Sequence, residues 1–147
     1  MALVIDIADA VTAELNAAPA GTFSRPFTAA RRVQPLFELS ELAELKVSVV
    51  PKALELSTAG RGIRQHDVQV DVGIQQRLAG EVDDEVPELV GLVEQVVRYL
   101  WARPLAAVPA AAWVRAEQQP LYAPEHLLER RLFTGVVTLT YRVLRQP

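Results

Sequence analysis

The sequence predicts an α+β fold: a mainly antiparallel sheet with a long β-hairpin and two main helices packed on one face. Three observations carry that expectation. The stretch HDVQVDVGIQQRL alternates polar and apolar residues, which is the period-2 pattern of a half-buried strand. DEVPELVGLVEQVVRYL carries an apolar stripe at helical spacing, and FTGVVTLTYRV alternates again. The order helix, strands, helix, strands then favours helices gathered on one face of an antiparallel sheet.

At 147 residues the chain is sized for one domain, 1–147, burying about 68–70% of its unfolded surface. Half of it is apolar but only 6% is aromatic, so a core of Val, Leu, Ile and Ala is expected. A net charge of −3 argues against bulk nucleic-acid binding, which shows as a strong basic excess. Cysteine is absent; that removes disulfides and thiol chemistry and is compatible with a reducing cytoplasm. The opening MALVIDIADAVTAEL carries Asp6 and Asp9 and no positive region, so a signal peptide is not expected. No window approaches the roughly eighteen apolar residues of a membrane helix, and a soluble chain with no membrane partner is expected.

Leu3, Ile7, Val11 and Leu15 recur every four residues before Asn16-Ala17-Ala18-Pro19, which predicts an opening helix of about three to four turns. AAPAGTF is a loop by its Pro and Gly. Residues 23–34 read as an irregular strand that Pro26 confines to an edge or splits. In LFELSELAEL, 36–45, a leucine falls on every third residue, and a short helix or turn is expected. LKVSVVPKALEL alternates until Pro51, where a bulge or register change is expected because proline cannot donate to a ladder.

The turn chemistry of STAGRG, 57–62, joins that strand to the next as a long antiparallel hairpin, with Arg61 at the tip and Arg64 just after. On the second strand Val68, Val70, Val72 and Ile74 point one way. Asp67, Gln69, Asp71, Gly73 and Gln75 point the other and are expected to leave a flat, exposed, hydrogen-bonding face. The second main helix is expected to be N-capped by Asp83 or Asp84, with acids and a tolerated proline in its first turn. Val86, Leu89, Val90, Val93, Val97 and Leu100 mark its apolar stripe, and Pro104 ends it. After a Pro- and Ala-rich connection a short strand is expected at Trp113–Glu117. The last strand has Phe133, Gly135, Val137, Leu139, Tyr141 and Val143 on one side and reads as the one that closes the sheet.

No constellation of residues carries recognisable catalytic chemistry. His66 and His126 lack metal-ligand spacing, and no cysteine completes a tetrahedral site. Asp67 and Asp71 share a strand face from which His66 points away, so neither metal nor cofactor is expected. EVDDEVPE offers carboxylates of the kind hard cations need. It has no EF-hand spacing, and acids at a helix N-terminus already answer the helix dipole. Gly60 and Gly62 form a turn without a phosphate-loop or dinucleotide fingerprint, and no GxSxG occurs; an enzyme is not expected. Trp101 and Trp113 read as core or interface anchors. Phe23 and Phe27 beside Arg25 loosely resemble the aromatic and basic interleaving of single-strand binders, without a wider basic stripe.

Charge is segregated along the chain. Residues 20–37 hold Arg25, Arg31 and Arg32 with no acid, whereas residues 78–97 hold Glu81, Asp83, Asp84, Glu85, Glu88 and Glu94 with no base. Two complementary patches on one chain suit a head-to-tail, ring-forming interface, and ordinary solvated surface accounts for them equally well.

The helix IADAVTAELN, the strand LKVSVVP, the hairpin GRGIRQHDVQVDVGIQ, the helix DEVPELVGLVEQVVRYL and the strand FTGVVTLTYRV together resemble the small tail-terminator, or tail-completion, proteins of long-tailed bacteriophages. The resemblance runs over most of the chain and lies in element order and short phrases, so no catalytic residue carries over. It implies a structural virion protein of the tail or neck, put together in the host bacterial cytoplasm. It implies assembly with itself into a ring, a hexamer, that caps the head-proximal end of the tail tube and ends tube polymerisation. Its other partners would be the tail tube protein and the head–tail connector protein, with DNA passing through the channel without specific binding. The polar strand face would then line or flank the channel. Arg61 and Arg64 would meet tube or connector, and Arg25, Arg31, Arg32, Asp83, Asp84 and Glu85 are the candidates for contacts between subunits. A head–tail connector or neck protein has a similar small α+β appearance. A small-ligand-binding α+β module is the alternative from another class, and it would need an enclosed apolar pocket.

Overall fold

Residues 2–33, 41–118 and 120–145 are described by the computed structural model. The elements are α1 (Leu3–Asn16), β1 (Ala29–Arg31), a 3-10 turn (Glu41–Ala43), β2 (Lys46–Gly60), β3 (Ile63–Arg77), α2 (Val82–Leu100), β4 (Ala112–Glu117), α3 (Pro124–Arg130) and β5 (Leu132–Arg145). They form a five-stranded sheet in the order β1-β2-β3-β5-β4. Only the short β1–β2 pairing is parallel; the others are antiparallel. The expected α+β class therefore stands, with α1 and α2 on the face that carries the core.

That face is the one the alternation marks. Val68, Val70, Val72 and Ile74 of β3 and Val47 and Val49 of β2 are buried against Ile7, Val11 and Leu15 of α1 and Leu89, Leu92, Val93 and Val96 of α2. At about 25 cal/mol per Å² of apolar surface, this single cluster is the main source of stability. α1 also positions the sheet edge, because its last residue clips onto β1. Asn16 Nδ2 donates to the Ala29 carbonyl at 2.9 Å, and the Ala29 N–H donates to Asn16 Oδ1 at 2.8 Å. Of the strand expected over 23–34, residue 34 lies outside the described residues, and the rest is reduced to Ala29–Arg31. Its first part turns away to stack Phe23 on Phe27 and on Tyr99 of α2, with ring centroids 5.0 and 5.5 Å apart. Of the helix or turn expected over 36–45, residues 36–40 lie outside the described residues, and Glu41–Ala43 is the 3-10 turn.

The hairpin forms as the turn chemistry predicts, pairing Lys46 with Gln75 at its base and Gly60 with Ile63 at its tip. Gly62 takes a φ of +72°, a left-handed conformation that glycine adopts without steric cost. The register shifts between Pro51 and Ala53, as expected from Pro51. Below the shift the odd residues Val47 and Val49 share the core face with Ile74 and Val72. Above it the even residues Leu54 and Leu56 lie opposite Val68 and His66. One extra residue has moved two leucines onto the helix-bearing face.

Three expectations are corrected. β5 does not close the sheet; it lies inside, paired with β3 along its whole length and with β4 on its other side. Alternation reports which face of a strand is buried and carries no information about which of its edges are paired. The N-cap of α2 is Glu81, without a side-chain cap, so Asp83 and Asp84 stand inside the first turn with Glu85. Pro87 consequently sits in the second turn, within the helix, where its missing N–H leaves the Asp83 carbonyl without its usual donor. The apolar stripe of α2 is also wider than its spacing indicates. Leu92 and Val96 are fully buried, and Val90 and Val97 only partly so.

Candidate assembly surface

The polar face of β3 is not the open hydrogen-bonding surface that the alternation leads one to expect. β5 and β2 supply partners to most of it. Arg142 Nε and Nη2 donate to the two carboxylate oxygens of Asp67 at 2.8 and 3.2 Å, and Gln65 Nε2 donates to Asp67 Oδ2 at 3.2 Å. The Arg142 hydrogen bonds hold the Asp67 carboxyl below the usual carboxylate value, against the opposing effect of burial. One row further along, Thr138 Oγ1 donates to Asp71 Oδ1 at 2.6 Å, and Lys52 Nζ lies 3.6 Å from the same oxygen. Gln75 Nε2 donates to Thr134 Oγ1 at 3.3 Å, and His126 Nδ1 lies 2.9 Å from that hydroxyl. Arginine, threonine and lysine at cross-strand positions have turned a row of acids and amides into an internal network.

What stays open is the sheet's two edges. β1 pairs with β2 only along Val47–Val49, so from Pro51 to Gly60 the outer edge of β2 has no strand beside it among the described residues. Every residue from Lys52 to Ala59 is exposed. At the opposite side β4 pairs with β5 alone among the described residues. The registers place these edges at one height: Val50, Asp71, Thr138 and Glu117 lie in one row across the sheet, and Glu55, Asp67, Arg142 and Ala112 in another. β2 and β4 run in opposite directions, as three successive antiparallel pairings require.

Both edges carry exposed apolar groups on the helix-bearing side. On β2, Leu54 is 46% and Leu56 64% exposed. Near β4, Trp101 is 66% exposed although its ring stacks on Trp113, which in turn meets Tyr141 edge-on, with centroids 6.0 and 5.8 Å apart. Beside Trp101 an open groove of about 280 Å³ runs between α2 and β4, lined by Val97, Arg98, Trp101, Ala116 and Val137. On the polar side of the same edges stand Lys52 and Glu55 on β2 and the Arg115–Glu117 pair on β4, joined at 2.9 Å.

The charged residues singled out in the sequence fall in three places. Arg31 Nε donates to Asp9 at 2.8 Å, and Arg25 donates to Gln76, so two of the three basic positions are engaged within the chain; Arg32 also has an internal interaction. Asp83, Asp84 and Glu85 form the first turn of α2, where Glu85 Oε1 accepts from the Gly80 N–H at 3.0 Å. Arg61 and Arg64 are exposed at the hairpin tip, and Arg64 stands opposite Arg145 of β5. Like charges face to face are unfavourable, so the tip is a concentrated positive end. Among the described residues no group of three or more His, Cys, Asp or Glu is arranged to hold a metal ion, and no helix is long and apolar enough to cross a membrane.

Leu54, Leu56, Arg115 and Glu117 are the surface residues that sequence reasoning missed, and Trp101, read there as a core or interface anchor, is exposed. The signal for the leucines was present, since a strand interrupted at Pro51 reverses its inward set beyond the break. Trp101 and Arg115 gain their meaning from β4 being an edge. No protein-family model matches this chain, and no curated protein does.

Proposed function

We propose that the chain is a ring-forming structural subunit of a long-tailed phage particle, a tail terminator that caps the tail tube and joins it to the head connector. One observation supports the ring above the rest: a single sheet with two unlike open edges at the same height. Unlike edges make a heterologous contact, and a heterologous contact that closes on itself generates a cyclic assembly. A ring wall built from such sheets would present the paired Asp67–Arg142 and Asp71–Lys52 rows, where acid and base alternate. A wall of that kind has little net attraction for DNA passing along it. The hairpin tip with Arg61 and Arg64 would face tube or connector.

Light scattering across a concentration series, with negative-stain imaging and with tail tubes added, tests the reading. Rings near six subunits, and tubes that stop growing with a ring at one end, are the expected result. A chain that stays monomeric at every concentration and leaves tube growth unchanged overturns it. Binding to head connectors without any effect on tubes would move the assignment to a neck component.

A further inference from the structure

We propose that neighbouring copies join by strand addition: the free half of β2 of one copy lies antiparallel along the outer edge of β4 of the next, so the sheet continues from subunit to subunit. This rests on the self-association read above and not on the phage role. Three independent features of the two edges agree with it. Direction comes first. β4 and β2 run oppositely within one chain, so copies related by rotation about an axis along the strands bring β4 and the next β2 together as an antiparallel ladder, the more stable kind.

Register is the second feature. At equal height, Glu117 meets Val50, Ala116 meets Pro51, Arg115 meets Ala53, Trp113 meets Leu54, and Ala112 meets Glu55, as these residues already share rows across the sheet. The extra residue of each edge, Lys52 and Val114, is skipped in the ladder within the chain and is skipped again here. Chemistry is the third. On the helix-bearing side, Leu54 arrives beside Trp113, whose ring stacks on Trp101, Pro51 arrives beside Ala116 at the wall of the groove, and Leu56 falls one row beyond Ala112, so that exposed apolar groups of both edges meet in one contact. On the other side, Lys52 comes near Glu117 and Glu55 near Arg115, pairs of opposite sign. A like-edge contact would set Leu54 on Leu54 and leave Trp101 in water.

The chain has no cysteine, so paired cysteines report the joint directly. Glu55 and Ala112 are both exposed, share a row, and would sit at cross-strand spacing of about 4.5–5.5 Å between Cα atoms, within reach of a disulfide. Under mild oxidation, an equal mixture of Glu55→Cys and Ala112→Cys chains should give a covalent dimer. The double variant should give a ladder ending at the closed ring, and neither single variant alone should cross-link. Dimers from either single variant alone would overturn the proposal in favour of like-edge pairing. Rings seen by scattering without cross-linking of the double variant would overturn this joint and leave the ring reading intact, whereas monomers under all conditions would remove both. As a second measurement, Leu54→Asp with Leu56→Asp should keep the monomer's unfolding midpoint while weakening association about tenfold or more; unchanged association would overturn the proposal.

Discussion

Asp67 shows how a single carboxylate on the polar face is committed to the fold. Its partner Arg142 lowers its pKa, and a group whose pKa is lower in the folded state contributes stability that is present above its unfolded pKa and lost as pH falls through the folded one. Unfolding measured by urea at a series of pH values should therefore show wild type losing stability below about pH 4, and Asp67→Asn should lose less over that window from a lower starting stability at neutral pH. Equal slopes for the two proteins would remove the linkage. Tyr141 is the opposite case. It is fully buried, burial pushes its phenol far above the ordinary value, and its hydroxyl has no hydrogen-bond partner among the described residues. A buried hydroxyl without a partner costs about 1–3 kcal/mol, while the ring packs against Trp113. Tyr141→Phe keeps the packing and should raise stability by about 1 kcal/mol in chemical denaturation; a loss would mean that the hydroxyl is satisfied.

Among the elements, the hairpin and α2 were the most legible, because each repeats one period over many residues and needs nothing distant to declare itself. Even the break at Pro51 could be read, since a missing N–H is a local property. The start of α2 could not. Several acids stand in EVDDEVPE, and Glu81 holds the cap position without a side-chain cap, three residues after Leu78, whose N–H donates to the Arg131 carbonyl at 2.7 Å. The earlier start makes Pro87 an interior residue, which costs up to about 3 kcal/mol relative to alanine in a helix. Pro87→Ala should then stabilise the protein by about 1–3 kcal/mol, read as a rise in the thermal midpoint. A fall would show that the backbone bends around Pro87 for the sake of the packing beneath it. The expected strand over 23–34 runs through Phe23 and Phe27, whereas the structure stacks Phe23 on Phe27 and on Tyr99.

At the scale of the whole molecule, the sheet presents a polar face whose side chains largely pair within the chain and two edges whose outer backbone has no strand beside it among the described residues. If those edges join, the charged pairs lie on the solvent side of the joint and the leucines and tryptophan on the other. Raising salt through several Debye lengths should weaken assembly without abolishing it. Arg115→Glu should weaken it at low salt, and adding Glu55→Arg in the same chain should restore it, both measured by sedimentation or scattering. Indifference to the first change would leave only the apolar contact. By itself the sequence determined the α+β class, the core face of each long strand, the hairpin, its turn and its bulge, because these follow from residue periodicity and from the backbone chemistry of Pro and Gly. Tertiary structure decided that β5 is interior and β4 an edge, that Arg31 is spent on an aspartate twenty-two residues away in the chain, and that Asp67 is bound by Arg142. It also brought Leu54 level with Trp113. Each of these depends on which segments become neighbours across the sheet, and strand order is set by the packing of all elements at once, so no local pattern along the chain records it.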